Sequence, residues 1–207
     1  MSILTNWGYK LPDLNSLDSL LPEQNFDIAT GGKYHGDTRV SSALITASQA
    51  VRDYVGWHLY PSAKCELDTT FFDRRVTRVN GDLLIQLPAR YVSGVTEVLI
   101  GGEAATQFVL QPNGLLLVHA CGFIRSPYTT VKVTYTAGLP DVLMPALQSV
   151  VGNRAIKSLS ASNGVQSETA GGVSISYSSS WMSDASGAGL TPTEMHALAP
   201  YKVTGVF

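Results

Sequence analysis

The chain has 207 residues, of which 44% are hydrophobic and only 14% charged, against roughly 25% charged in an average soluble domain. A chain of this length buries roughly 70% of its unfolded surface, which excludes wholesale disorder and removes any need for a disulfide or metal staple. Its 14 Lys and Arg stand against 16 Asp and Glu, a net charge of -2, so no basic excess marks nucleic acid as the main ligand and no acidic excess marks a solvating tail.

Polarity comes from hydroxyls instead: 21 Ser and 17 Thr outnumber the 30 charged residues. A polar but uncharged surface can face copies of itself without like-charge repulsion. The opening residues MSILTNWGYK contain no apolar signal core, and no stretch reaches the roughly 18 apolar residues of a membrane span, so a soluble protein made in the cytosol is expected.

Residues 1–37 read as an arm. They carry one short helical pattern, Leu14, Leu17, Leu20 and Leu21, closed by Pro22 and followed by the glycines of TGGKYHG. From Thr38 the pattern is firmly helical, with Val40, Leu44, Ala47, Val51, Tyr54 and Val55 on one stripe and Arg39, Gln49, Arg52 and Asp53 on the other faces. Gly56 stops this helix as a residue free to take positive φ.

Between Ala63 and Ala137 the period shortens to two, and turn residues punctuate it. Asn80-Gly81, Gly101-Gly102 and Pro112-Asn113-Gly114 each separate two β-favouring runs, which predicts three hairpins among six or seven strands and argues against a parallel sheet. After Gly138-Leu139-Pro140 a second helix is expected, with Pro145 in its first turn and Leu143, Leu147, Val150, Val151, Ala155 and Leu159 as its stripe. Residues 158–189 are rich in Ser, Gly and Ala, yet Val173, Ile175 and Tyr177 alternate strictly ahead of Trp181, as in a short strand in search of a partner. Thr191-Pro192-Thr193-Glu194 reads as a capping box that opens a two-turn helix ending before Pro200.

The expected fold class is α+β. Residues 38–62 and 138–162 form a helical core of two main helices plus the short C-terminal one. Residues 63–137 form an inserted antiparallel β-barrel or sandwich domain, and residues 1–37 and 163–207 are extended terminal arms.

Chemistry-bearing motifs are sparse. His35, His58, His119 and His196 are isolated, and no Cys/His spacing for a metal, no nucleophile elbow and no phosphate-binding glycine loop occurs. His58, just past a helix end, reads as a histidine bonded to a terminal carbonyl. Cys65 and Cys121 read as reduced packing residues. Glu66 and Asp68 share one strand face, as in a pair for glycoside hydrolysis or, more plainly, a solvated face. Arg74, Arg75 and Arg78 are the one basic cluster, with Arg74 and Arg78 on one face and Arg75 on the other; they could touch phosphates non-specifically or serve as ion-pair donors. No cofactor is expected.

Several stretches together resemble the head-tail connector (adaptor) proteins of tailed bacteriophages, the ring beneath the portal. They are ALITASQAVRDYVGWHLYP, LLIQLPARYVSGVTEVLIGG, VKVTYTAGLP, QSETAGGVSISYS and LTPTEMHALAPYK, in that order over residues 41–202. The resemblance implies a virion protein of the neck, made in the host cytoplasm and without catalysis. It also implies a homo-oligomeric ring, a dodecamer, around the DNA channel, with the portal protein, a stopper or tail-terminator protein and possible capsid contacts as partners. On this reading Val173, Ile175, Tyr177, Trp181, Tyr201, Val203, Val206 and Phe207 meet the portal or neighbouring subunits, and Arg74, Arg75 and Arg78 face channel DNA. A different class is a β-rich carbohydrate- or receptor-binding module that uses Phe71, Phe72, Tyr91, Phe108, Phe123 and Tyr128 as exposed aromatics.

Overall fold

The computed structural model describes residues 3–14, 16–119, 126, 128–160, 167–170, 173–176 and 189–203. The chain divides into two compact units: Met1–Leu17, Gly56–Pro140 and Tyr201–Phe207 form one, and Asp18–Val55 with Asp141–Pro200 form the other. The first is β-rich and the second helical.

In the β-rich unit the strands are β1 (Ile3–Leu4), β2 (Tyr9–Leu11), β3 (Ala63–Thr70), β4 (Val76–Val79), β5 (Asp82–Gln86), β6 (Val92–Ile100), β7 (Glu103–Ala104), β8 (Phe108–Gln111), β9 (Leu115–Val118) and β10 (Thr130–Ala137). They form two antiparallel sheets, β1-β2-β3-β10-β6-β7 and β4-β5-β9-β8, and neither closes into a barrel. All three expected hairpins are present: Val79 pairs with Asp82, Ile100 with Glu103 and Gln111 with Leu115. Asn80 and Gly81 both hold positive φ, as the two central residues of a tight hairpin must.

The period of two is a burial period. Cys65, Leu67 and Thr69 lie opposite Tyr135, Val133 and Val131, and all six are buried. Lys132 stands between them on the opposite face against Asp68, 3.3 Å away. In the second sheet Val76, Leu83, Ile85, Leu116 and Val118 form the buried face. The β-favouring run after Gly101-Gly102, AATQFVL, is split between the two sheets. Ala105 is buried, its N–H donates to the Val98 carbonyl, and the chain then crosses to pair with β9.

The N-terminal residues are not an arm outside the fold. Tyr9 pairs with Leu67 and Lys10 with Glu66, so β2 extends the larger sheet. Nor do Leu14, Leu17, Leu20 and Leu21 form a helix. Leu20 and Leu21 are buried in a non-helical segment of the second unit, where the Leu20 N–H donates to Ser48 Oγ at 2.9 Å. Pro22 opens a helix instead of closing one, standing as N-cap of α1 (Glu23–Ala29) in an extended conformation that suits the residue before a first turn.

The helical unit is built on α2 (Val40–Val55) and α3 (Met144–Ser160), which pack on each other, with α1 on α2 and α4 (Pro192–Leu198) on both long helices. Most of the expected stripe is buried, with Leu44, Val51, Leu147, Val151 and Ala155 fully so, whereas Tyr54 is half-buried and Leu143 stands half-buried in a 3-10 turn, Asp141–Leu143, ahead of α3. Arg52 departs from the pattern: it is buried, and its guanidinium donates to the Asp18 carbonyl at 2.7 Å. Ahead of α2, Asp37 accepts from the Arg39 N–H and guanidinium; those hydrogen bonds hold its carboxyl down at about 2. The expected lone strand at Val173 has a partner in the same chain, since β11 (Ser167–Ala170) pairs antiparallel with β12 (Val173–Ser176).

The capping box of α4 forms in full. Thr191 Oγ1 accepts from the Glu194 N–H, and the Glu194 carboxylate accepts from the Thr191 N–H and from Lys157 at 3.0 Å. Burial pushes the Glu194 carboxyl up, but the Thr191 N–H and the Lys157 ammonium together outweigh it and hold it below its ordinary 4.5. A group depressed in the folded state stabilises fully above its unfolded value and stops doing so as pH falls through the lower folded value. The expected result is a thermal midpoint that drops between pH 7 and pH 3 by more in the wild type than in Glu194→Gln. An equal drop in the two proteins would remove Glu194 from the acid response.

Candidate functional site

The segment after α2, Gly56-Trp57-His58-Leu59-Tyr60-Pro61, belongs to the β-rich unit and holds Tyr9 and Tyr201 there. Gly56 ends the helix at φ 82. Trp57 is fully buried, donates Nε1–H to the Tyr201 carbonyl at 2.8 Å and stacks on Tyr91 with ring centroids 6.1 Å apart. His58, also fully buried, has Nε2 3.0 Å from the Ala137 carbonyl and Nδ1 2.8 Å from Tyr9 Oη. A carbonyl only accepts, so Nε2 carries the proton; in the neutral ring Nδ1 then accepts from the Tyr9 hydroxyl, whose oxygen accepts from the His58 N–H. His58 does bind a carbonyl, but that of β10 rather than of the helix end. Leu59 sits at φ 66 in a tight turn closed by the Tyr60 N–H on the His58 carbonyl.

This cluster serves architecture. Its polar atoms are turned on each other inside the core, where a neighbouring thiol is equally shut away: burial pushes Cys65 up to about 12, so it stays protonated and inert at neutral pH. Cys121 lies outside the described residues.

Of the expected interface residues, Tyr177, Trp181, Val206 and Phe207 lie outside the described residues, and Val173 and Ile175 lie on β12. Tyr201 is half-buried. Val203 is a correction, since at 5% exposure it packs into its own unit and offers no free anchor to a partner. The arginines also separate. Arg74 and Arg75 precede β4 in a turn, so the expected strand-face division does not apply to them, and only Arg78 stands on the strand. Arg74 and Arg78 are exposed, whereas Arg75 is half-buried with Nε 3.9 Å from Asp73 and its guanidinium against Gly8.

Glu66 and Asp68 share the outer face of β3, with lysine Nζ atoms at 3.8 Å (Lys64) and 3.3 Å (Lys132). That is the chemistry of a solvated sheet face, with one charge pair along β3 and one across to β10. The aromatics divide too. Tyr91 is stacked on Trp57, Phe71 and Phe108 are half-buried, and Phe123 lies outside the described residues. Phe72 and Tyr128, 65% and 75% exposed, form an edge-to-face pair with centroids 5.3 Å apart. In the helical unit an open cleft of about 480 Å³ is lined by Glu23, Phe26, Asp27, Tyr34, His35 and Asp37. His35 Nδ1 lies there 3.0 Å from Asp27 Oδ2.

Among the described residues no group of three or more His, Cys, Asp or Glu is placed to hold a metal ion, and no helix is long and apolar enough to cross a membrane. No protein-family model matches the chain, and no curated protein matches it in sequence.

Proposed function

We propose that this chain is a structural subunit of a tailed-bacteriophage neck, a connector whose ring joins the portal to the tail and keeps the DNA channel continuous. The observation that carries the reading is the β11–β12 hairpin. It pairs with no third strand among the described residues, and it lies in a fifty-residue stretch whose only charges are Glu168, Asp184, Glu194 and Lys202. A two-stranded hairpin alone is marginally stable in water. Sparse charge and open strand edges together suit a segment covered by another protein, through strand addition to a portal or a neighbouring subunit.

The order and spacing of the connector-like stretches support the same reading. The end of the first, GWHLYP, carries the buried residues Trp57, His58 and Leu59. Many shallow contacts repeated around a closed ring would make a stable assembly from weak individual interfaces. The test is electron microscopy of assembled particles with antibody directed at this chain. Label confined to the head-tail junction, as a ring next to the portal, is the expected outcome; label on tail fibres or capsid faces, or none, would refute the reading.

A second reading rests on the exposed Phe72–Tyr128 pair, because exposed aromatics are what a glycan-binding β-module presents. Saturable glycan binding by a stable monomer, lost in Phe72→Ala, would favour it over the connector.

A further inference from the structure

The four-stranded sheet β4-β5-β9-β8 has two edges, and among the described residues only one of them is open. On β4 the outward N–H of Val76 donates to the Asp73 carbonyl at 2.9 Å and Arg78 stands exposed on the strand, so a turn and a charge blunt that edge. On β8 neither device is present. The His119 N–H donates to the Gln107 carbonyl, which sets the phase of the ladder. Gln107, Val109 and Gln111 therefore bond inward to β9, and the N–H and C=O groups of Phe108 and Leu110 point outward. Those outward groups have no partner among the described residues. No charged residue occurs from Ala104 to Val118, and Val109 is 61% exposed.

The strand is also symmetric in chemistry about Val109. In the run Gln107-Phe108-Val109-Leu110-Gln111, an outward-bonding apolar residue stands on each side of the valine and a glutamine stands beyond each of those. Phe108 and Leu110 lie opposite Val118 and Leu116 on the inner face and are half-buried, whereas Gln107, Val109 and Gln111 are exposed on the outer face. Across that outer face Thr77, Leu84, Leu117 and Val109 are successive cross-strand partners, an uncharged row that stops at Val109.

We infer that β8 is a strand-addition site for a second copy of itself, paired antiparallel across a two-fold axis at Val109. In this register Phe108 lies opposite Leu110 of the second copy and Leu110 opposite its Phe108, each pair exchanging both N–H···O bonds, so every outward group of β8 is used. Val109 meets Val109 and joins the outer rows of the two sheets, while Gln107 meets Gln111, amides that each donate and accept. Sliding one strand by two residues sets Val109 against a glutamine, and in one direction sets Phe108 against Pro112, which has no N–H. Because β4 is blunted, the strand that a second copy of this sheet can bring to β8 is β8. The inference goes beyond the connector reading and does not rest on it: an isologous pair closes on itself, and a ring would be built by other surfaces.

The test uses cysteine variants of the full chain with Cys121→Ser; Cys65 is buried. Val109→Cys is expected to give a disulfide-linked dimer on air oxidation, because directly opposed residues of a non-hydrogen-bonded pair lie about 4.5 Å apart at Cα, within disulfide reach. Gln107→Cys and Gln111→Cys are each expected to stay unlinked alone and to link when mixed. In light scattering the wild type is expected to rise with concentration from 22.1 kDa toward twice that mass. Val109→Lys, at an exposed position, is expected to stay a single chain, since two like charges would meet across the axis. An equal mixture of Val109→Lys and Val109→Glu is expected to recover the dimer.

A wild type that stays monomeric at millimolar concentration would overturn the proposal, as would a dimer that Val109→Lys leaves intact. A link in Gln107→Cys alone as strong as that in Val109→Cys would overturn the register at Val109. Single chains that persist in the charged mixture would show that Val109→Lys acts elsewhere than across the axis and would overturn it too. None of these results bears on the connector reading, which the particle microscopy decides.

Discussion

Trp57→Ala is expected to lower the unfolding free energy by about 3–5 kcal/mol, the usual cost of emptying a large buried aromatic site. That is a major share of the 5–15 kcal/mol that holds a typical domain folded. The residue is fully buried, stacks on Tyr91, meets His58 edge-on with centroids 5.6 Å apart and donates to the Tyr201 carbonyl. The truncation therefore leaves a cavity, a loosened Tyr91 and an unpaired carbonyl at once. Trp57→Phe keeps the ring and loses only the donor and some volume, so it should recover more than half of the loss. Urea unfolding of both variants measures this. Limited proteolysis supplies a second readout, because the residues after α4 should become cleavable first in Trp57→Ala; a loss under 1 kcal/mol, or unchanged cleavage there, would show that Trp57 does not clasp the C-terminal segment.

Gly114→Ala is expected to cost about 2–5 kcal/mol, combining the strain of a left-handed backbone with overpacking. Gly114 holds φ 72 at the end of the Pro112-Asn113-Gly114 turn, and a Cβ there would stand 2.1 Å from the Ala89 carbonyl oxygen. Its own carbonyl accepts the Leu87 N–H at 2.8 Å, so the turn cannot retreat without losing that bond. Gly32→Ala is the control: its φ is 77, yet a Cβ there meets nothing within 4 Å. It should cost about 1–2 kcal/mol from conformation alone. Equal losses at the two sites would show that the 87–89 segment yields freely and that the close approach is not what demands glycine.

Local physics made much of this molecule readable in one dimension. Asn80-Gly81 and Gly101-Gly102 announce their turns because both central positions need positive φ. Thr191 and Glu194 announce a helix start because each satisfies the other's free N–H. The stripes of α2 and α3 follow from 3.6 residues per turn, and the alternation of β3 and β10 from a period of two. None of these signals says which distant segment fills the space opposite.

The misread elements share that origin. Leu14 to Leu21 carry a helical spacing of leucines, but Leu20 and Leu21 are buried in a non-helical segment, where Ser48 supplies the bond to the Leu20 N–H. Arg52 looks like a surface residue on its helix until the Asp18 carbonyl arrives to receive it. A short run such as AATQFVL carries no mark of where one sheet ends and the next begins. The candidate interface was legible as a deficit of charge near the C-terminus and as the alternation of Val173, Ile175 and Tyr177.

The sequence by itself determined the turns, the helix caps, the faces of the long elements and the distribution of charge, each set by interactions within a few residues of chain. Only the tertiary structure decided that the N-terminal strand belongs to the main sheet through Tyr9 and Leu67, and that Trp57 and His58 clasp Tyr201 and Ala137. Those outcomes depend on contacts 49 to 144 residues apart along the chain, and no local period or propensity encodes a partner at that distance.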